Sequence, residues 1–136
     1  IPSLSDDSGI CFYDLNNEPG VYSARWAGED KNFNLAMTKI NDSIKKLKKP
    51  SYNCFFVCAL SLSWPSGCNV TVSGKIDGKF SWPPKGNLGF GYDPIFKPLG
   101  YDQTFAEMEP KMKHSISHRA KAFKKLISLC FPSLEN

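Results

Sequence analysis

From Asn53 to Trp64 the chain is almost continuously apolar, with Phe55, Phe56, Val57, Ala59, Leu60 and Leu62 in close succession. Such a run predicts a central strand covered on both faces. Pro65-Ser66-Gly67 turns the chain, and beyond it Val70, Val72, Gly74 and Ile76 alternate with Thr71, Ser73 and Lys75. That period of two predicts a partner strand with one wet face, paired to the first as a hairpin with a slightly long loop. Asp77-Gly78 reads as a second turn. Upstream, Phe33, Met37, Ile40, Ile44 and Leu47 make a helical stripe. Asp30 is its expected N-cap, Lys45, Lys46, Lys48 and Lys49 crowd its last turn, and Pro50 stops it. Before it, Ile10-Cys11-Phe12-Tyr13 reads as a short strand and Asn16 to Gly20 as a turn. After it, Thr104-Phe105-Ala106-Glu107 has capping-box spacing for a short helical turn, and Pro110 limits any continuation of it. A last helix is expected from near Ser115 or Ser117. Its apolar face would be Ala120, Phe123, Ile127 and Cys130, with Leu126 beside it and Pro132 ending it.

At 136 residues and 41% hydrophobic composition the chain is long and apolar enough for one domain with a real core. Its net charge of +4 suits an anionic small ligand and falls short of a nucleic-acid footprint, so no nucleic-acid partner is expected. No apolar run reaches the ~20 residues of a membrane span, so no membrane partner is expected either. The five cysteines form no C-x-x-C pair. Cys54 and Cys58, four apart in the apolar run, read as small buried hydrophobes in a reducing compartment, which together with the lack of a visible signal peptide points to the cytoplasm. The chain begins at Ile1 and enters an acidic stretch within six residues, so further residues are expected upstream.

Three stretches carry candidate chemistry. The first, Gly89-Phe90-Gly91-Tyr92-Asp93-Pro94-Ile95-Phe96, is either a stiff turn that presents aromatic rings and a carboxylate to a ligand, or an ordinary hairpin turn with its rings in the core. The second, Asp6-Asp7-Ser8-Gly9, is good turn chemistry. If it is extended, its two carboxylates point to opposite sides, and one of them can meet Mg²⁺ or orient an attacking water. The third, Ser117-His118-Arg119, lies at a helix start with Lys113 upstream. It offers either a cluster of hydrogen-bond donors or a capping serine beside a solvated arginine. A ring stacked on an aromatic, donors at its edge and a metal on a phosphate chain would together suit a nucleotide.

These strings occur with two others, Pro19-Gly20-Val21-Tyr22-Ser23-Ala24-Arg25-Trp26-Ala27-Gly28 and Thr104-Phe105-Ala106-Glu107-Met108. In that order and spacing the chain resembles the Ham1-like family, also called inosine triphosphate pyrophosphatases. The resemblance covers essentially the whole chain. It implies an α/β fold with a mixed, elongated twisted sheet, flanking helices and a cleft between two lobes. It implies a Mg²⁺-dependent hydrolase that cleaves ITP, dITP and XTP to the monophosphate and pyrophosphate, usually as a homodimer. By the family's motifs, Asp7 activates water and meets the metal, with Asp6 a further metal candidate, and Ser8 touches substrate. Phe90, Gly91, Tyr92 and Asp93 hold the base, Lys113 joins them, and His118 and Arg119 read it. A donor there suits the 6-keto group of hypoxanthine or xanthine and opposes the amino group of adenine.

The resemblance departs at one point. The family's opening strand and Ser/Thr-Gly-Asn-x-x-Lys phosphate loop have no counterpart in residues 1–136. The expectation is therefore a single domain without its N-terminal phosphate-binding part. Such a chain is weak or inactive alone, or survives as a purine-nucleotide-binding remnant.

Overall fold

The computed structural model describes residues 1–132. Five strands form one sheet: β1 Ser3–Phe12, β2 Glu18–Pro19, β3 Asn53–Ser63, β4 Asn69–Phe80 and β5 Phe96–Pro98. Their order is β2-β1-β3-β4-β5. The helices are α1 Ser23–Trp26, α2 Phe33–Lys45, α3 Pro110–Ile116 and α4 His118–Cys130. The α/β class with helices flanking a sheet is as expected. All four strand pairings are antiparallel, so no parallel pair lies among the described residues.

The expected hairpin is β3 and β4, joined by a turn in which the Trp64 N–H bonds the Cys68 carbonyl. β3 is not covered equally on both faces. Cys54, Phe56, Cys58, Leu60 and Leu62 are buried, while the residues between them are only half-buried. Asp77-Gly78 does not turn. It continues β4, because Asp77 and Gly78 pair with Phe55 and Cys54 of β3. At Gly78 a side chain would meet the Phe96 ring at 2.6 Å, so the glycine permits close packing rather than a bend.

The Asp6-Asp7 stretch is likewise strand. β1 runs from Ser3 and pairs with β3 from Ser3↔Ser63 to Phe12↔Cys54. A long apolar neighbour with free ladder groups overrides the local turn preference of Asp-Asp-Ser-Gly.

The α2 stripe buries Met37, Ile40 and Ile44 as expected. Its N-cap is Asn32, not Asp30. The Asn32 side chain accepts the Leu35 N–H at 3.1 Å, and the helix ends at Lys45, ahead of the other three lysines. Asp14 pins the following connection by accepting the Ser51 and Tyr52 N–H groups. Thr104 to Glu107 forms a turn closed by the Glu107 side chain on the Thr104 N–H, and Pro110 starts α3 instead of limiting it.

On α4 the buried positions are His118, Ala122 and Leu126. The expected face is rotated away, and Phe123 is half exposed. The cause is Gly74 of β4, where an added Cβ would lie 2.4 Å from Ala122 N and His118 O. The helix backbone seats on that gap and turns its His118-Ala122 side inward. Cys54 and Cys58 are buried as expected; Cys11 is buried as well, and Cys68 is exposed.

The buried side chains fall into two clusters. The larger gathers Ile10, Phe12, Ile40, Phe56, Phe96 and Phe105, among others. The smaller gathers Cys58, Leu60, Leu62, Ala122 and Leu126. Phe56 and Cys58 are neighbours on one face of β3, and the clusters meet there.

Candidate functional site

Above that junction lies a cleft of about 160 Å³. Its walls include Ser8, Phe90, Gly91, Tyr92, Asp93, Lys113, His118 and Arg119. The eight come from β1, the loop after Gly89, and the α3–α4 junction. A second hollow of about 220 Å³ adjoins it and shares Phe90, Lys113, His118 and Arg119.

The loop is wound around Asp93. Gly89 and Gly91 have φ of +72° and +63°, which glycine adopts without strain. A side chain on Gly89 would also strike Asp93 Oδ2 at 2.2 Å. That oxygen accepts the Phe90 N–H at 3.0 Å and the Lys113 ammonium at 2.5 Å. The carboxylate is thus almost fully buried and tied to the loop and to α3, at the wall of the cleft. Tyr92 is buried too, its hydroxyl donating to the Ser23 carbonyl at 2.5 Å, and burial pushes its pKa up. Phe90 alone of the loop's rings stands out, 67% exposed, with the Lys113 ammonium 4.6 Å from its centroid.

Ser117 caps α4 by accepting the Ala120 N–H, which fixes the next two residues. His118 is buried and stacks on Phe56 with centroids 4.7 Å apart and planes 12° from parallel. Its Nδ1 is buried with no hydrogen-bond partner. Burial, with the Arg119 and Lys113 charges, pushes its pKa down to about 4, so the ring is neutral at pH 7. His118 is thus a cleft-wall residue with one buried ring nitrogen left unpaired by the protein.

Arg119 donates through Nε to Asp6 Oδ2 at 2.5 Å and through Nη2 to Ser8 Oγ at 3.1 Å. Ser8 donates to Asp6 Oδ1 at 2.6 Å. Partial burial pushes the Asp6 carboxyl up, but the bonds from Arg119 and Ser8 outweigh it and hold its pKa below the ordinary value. Asp6 borders a hollow beside the cleft, between Leu4, Leu60 and Phe123.

Asp7 is the one foreseen residue kept apart. It is exposed, and strand alternation directs it to the face of β1 opposite Asp6 and Ser8. It lines neither the cleft nor the adjoining hollow. Six further wall residues, Gly9, Ile10, Ser23, Ala24, Phe33 and Phe56, were not singled out in the sequence. Phe56 looked like ordinary core in an apolar run. Ser23, whose Oγ accepts the Ile10 N–H at 3.0 Å, was seen only as part of a string.

An antiparallel sheet with flanking helices, and a cleft in which an exposed ring stands near two ion-paired cationic side chains, defines this as an α/β protein with a polar, aromatic cleft. The Ham1 family model matches residues 1–129. The dITP/XTP pyrophosphatase of Caulobacter vibrioides is 46% identical over 131 residues, covering 96% of this chain and 68% of that protein. The dITP/XTP pyrophosphatase of Zymomonas mobilis subsp. mobilis is 47% identical over 129 residues, covering 94% of this chain and 62% of that protein. The solved Staphylococcus aureus Ham1 protein is similar with a TM-score of 0.88 at 35% identity, covering 97% of this chain and 68% of that one. A HAM1 protein from Coxiella burnetii gives 0.88 at 32% identity, with 95% and 66% covered. The chain belongs to the Ham1 family, and it spans about two thirds of the length of these relatives.

Proposed function

We propose that this protein is a nucleoside triphosphate pyrophosphatase that hydrolyses ITP, dITP and XTP to the monophosphate and pyrophosphate, and so clears deaminated purines from the nucleotide pool. The observation that carries this reading is one cleft lined by His118, whose buried Nδ1 has no hydrogen-bond partner, by Arg119 and by the exposed ring of Phe90. A purine stacked on Phe90 brings its polar edge to these groups. Neutral His118 offers one donor and one acceptor nitrogen, and Arg119 offers donors only. A 6-keto oxygen completes that set. An adenine amino group meets the arginine donor to donor and leaves buried groups unpaired. Lys113 and Asp93 hold the Phe90 loop, and Ser8 borders the sugar or phosphate side.

By the family motif alone, and from a position outside the cleft on the other face of β1, Asp7 is the residue proposed to take a proton from the attacking water as the bond between the α and β phosphates breaks. Mg²⁺ is the proposed cofactor. It needs only one or two carboxylates beside phosphate oxygens and waters. Asp7 fits that role, having no side-chain hydrogen bond among the described residues, where no cluster of three or more His, Cys, Asp or Glu side chains is found. When bound, the metal neutralises charge on the phosphate chain. A homodimer and a cytoplasmic location follow from the same family reading, and no helix among the described residues is long and apolar enough to cross a membrane.

The test is pyrophosphate release with Mg²⁺ from ITP, dITP and XTP, against ATP as control. It is measured on the protein expressed from its native gene and on residues 1–136 alone. Faster release from the three deaminated substrates than from ATP is expected of the native gene product. Equal rates, or no release from folded protein, overturn the reading. Light scattering checks the dimer.

A further inference from the structure

Asp6 and Asp7 are adjacent in sequence, but their carboxylates have separate surroundings. Asp6 shares a face of β1 with Ser8, and its two oxygens are both occupied. Oδ2 accepts Arg119 Nε at 2.5 Å, and Oδ1 accepts Ser8 Oγ at 2.6 Å and Cys58 Sγ at 3.5 Å. Ser8 in turn accepts Arg119 Nη2 at 3.1 Å. The guanidinium, rigid and planar, is therefore held along one edge by two neighbouring β1 side chains. Arg119 also lines the cleft, with Cζ 5.9 Å from the Phe90 centroid.

From this we infer that Asp6 is a positioning residue that aims Arg119 at the purine edge, and that it is not a metal ligand. The inference rests on the proposed function. The pair is poorly suited to a stabilising role, because the Arg119 and Asp6 side chains are 37% and 34% exposed. Ion pairs that wet contribute little to folding. Fixing a fork of donors in one orientation is a different service, since a misaimed donor loses most of its worth to a bound base.

The test compares Asp6→Ala, Asp6→Asn, Arg119→Ala and the Asp6→Ala/Arg119→Ala double variant. Each is assayed for ITP hydrolysis and for IMP binding by calorimetry. Asp6→Ala is expected to lower kcat/KM for ITP and the IMP affinity about tenfold. Asp6→Asn, which still accepts from Nε, is expected to recover part of that loss. In the Arg119→Ala background the Asp6 change adds less than about twofold, because it acts through the arginine. The Mg²⁺ concentration for half-maximal rate stays unchanged in Asp6→Asn. Additive losses in the double variant, unchanged IMP affinity in both single Asp6 variants, or a raised Mg²⁺ requirement overturns the inference. Wild-type protein that neither hydrolyses ITP nor binds IMP overturns the proposed function and this inference with it. An active wild type with indifferent Asp6 variants overturns only this inference.

Discussion

Replacing Lys113 by methionine isolates one buried charge. The Lys113 ammonium lies 2.5 Å from Asp93 Oδ2, and the side chains are only 13% and 4% exposed. Methionine keeps the length of the apolar stem but removes the charge, and with it the ammonium's contacts with the Phe90 and Phe105 rings. Asp93 is then left buried with the Phe90 N–H as its remaining partner. Removing one member of a buried ion pair costs about 3–5 kcal/mol, and the surviving bond places this case near about 3 kcal/mol. For a chain of this size that corresponds to a fall in Tm of roughly 10 °C. The opposite change should be milder. Asp93→Asn keeps an acceptor for Phe90 N–H, and the flexible lysine stem carries its charge toward water, for a loss of about 1–2 kcal/mol. The Lys113→Met/Asp93→Asn pair removes both charges and should be more stable than the sum of the single losses by at least about 1 kcal/mol. Urea unfolding measures this, with unchanged m-values confirming that the unfolded states are comparable. A Lys113→Met protein within about 0.5 kcal/mol of wild type would refute the reasoning. So would strict additivity in the double variant.

Three further outcomes are expected. His118 has a folded pKa of about 4 against an ordinary 6.5, so the unfolded chain binds a proton in that window that the folded chain refuses. Stability is full above pH 6.5 and declines by up to about 3 kcal/mol as pH falls toward 4. Urea midpoints across that range should show the slope in wild type, and a persisting slope in His118→Gln would contradict its source. Gly74→Ala puts a Cβ 2.4 Å from Ala122 N and His118 O, which forces α4 off β4. A loss of about 1–3 kcal/mol with weakened IMP binding is expected, and a wild-type melting curve would count against the packing described. Phe90→Ala removes a ring that is 67% exposed, so its melting curve should match wild type. Calorimetry should then show about 1–3 kcal/mol of lost IMP affinity, the worth of one base stacked on an aromatic ring. Undiminished affinity would remove Phe90 from the site.

Much of this protein was legible from its residues alone. The α2 stripe and the β3–β4 hairpin follow from local periodicity, because a helix or hairpin is built by neighbours in the chain. The strings holding Ser8, Phe90 to Asp93, Lys113, His118 and Arg119 identified the residues that line one cleft. Misreadings arose where a distant partner decided. Asp-Asp-Ser-Gly favours a turn until β3 supplies a ladder along it. The apolar face of α4 looks well formed until Gly74 seats the helix backbone and turns His118 inward. The pairing of Asp93 with Lys113, twenty residues on, was likewise not readable from local pattern.

The paired acids show the division most plainly. Their identity and order are properties of the sequence, and so is the rule that an extended chain sends them to opposite faces. Only the tertiary structure decided that this stretch is extended. It also decided that Asp6 receives the guanidinium of a residue 113 positions away while Asp7 stays exposed. Local chemistry sets what each carboxylate is able to bind, and long-range pairing sets what it meets.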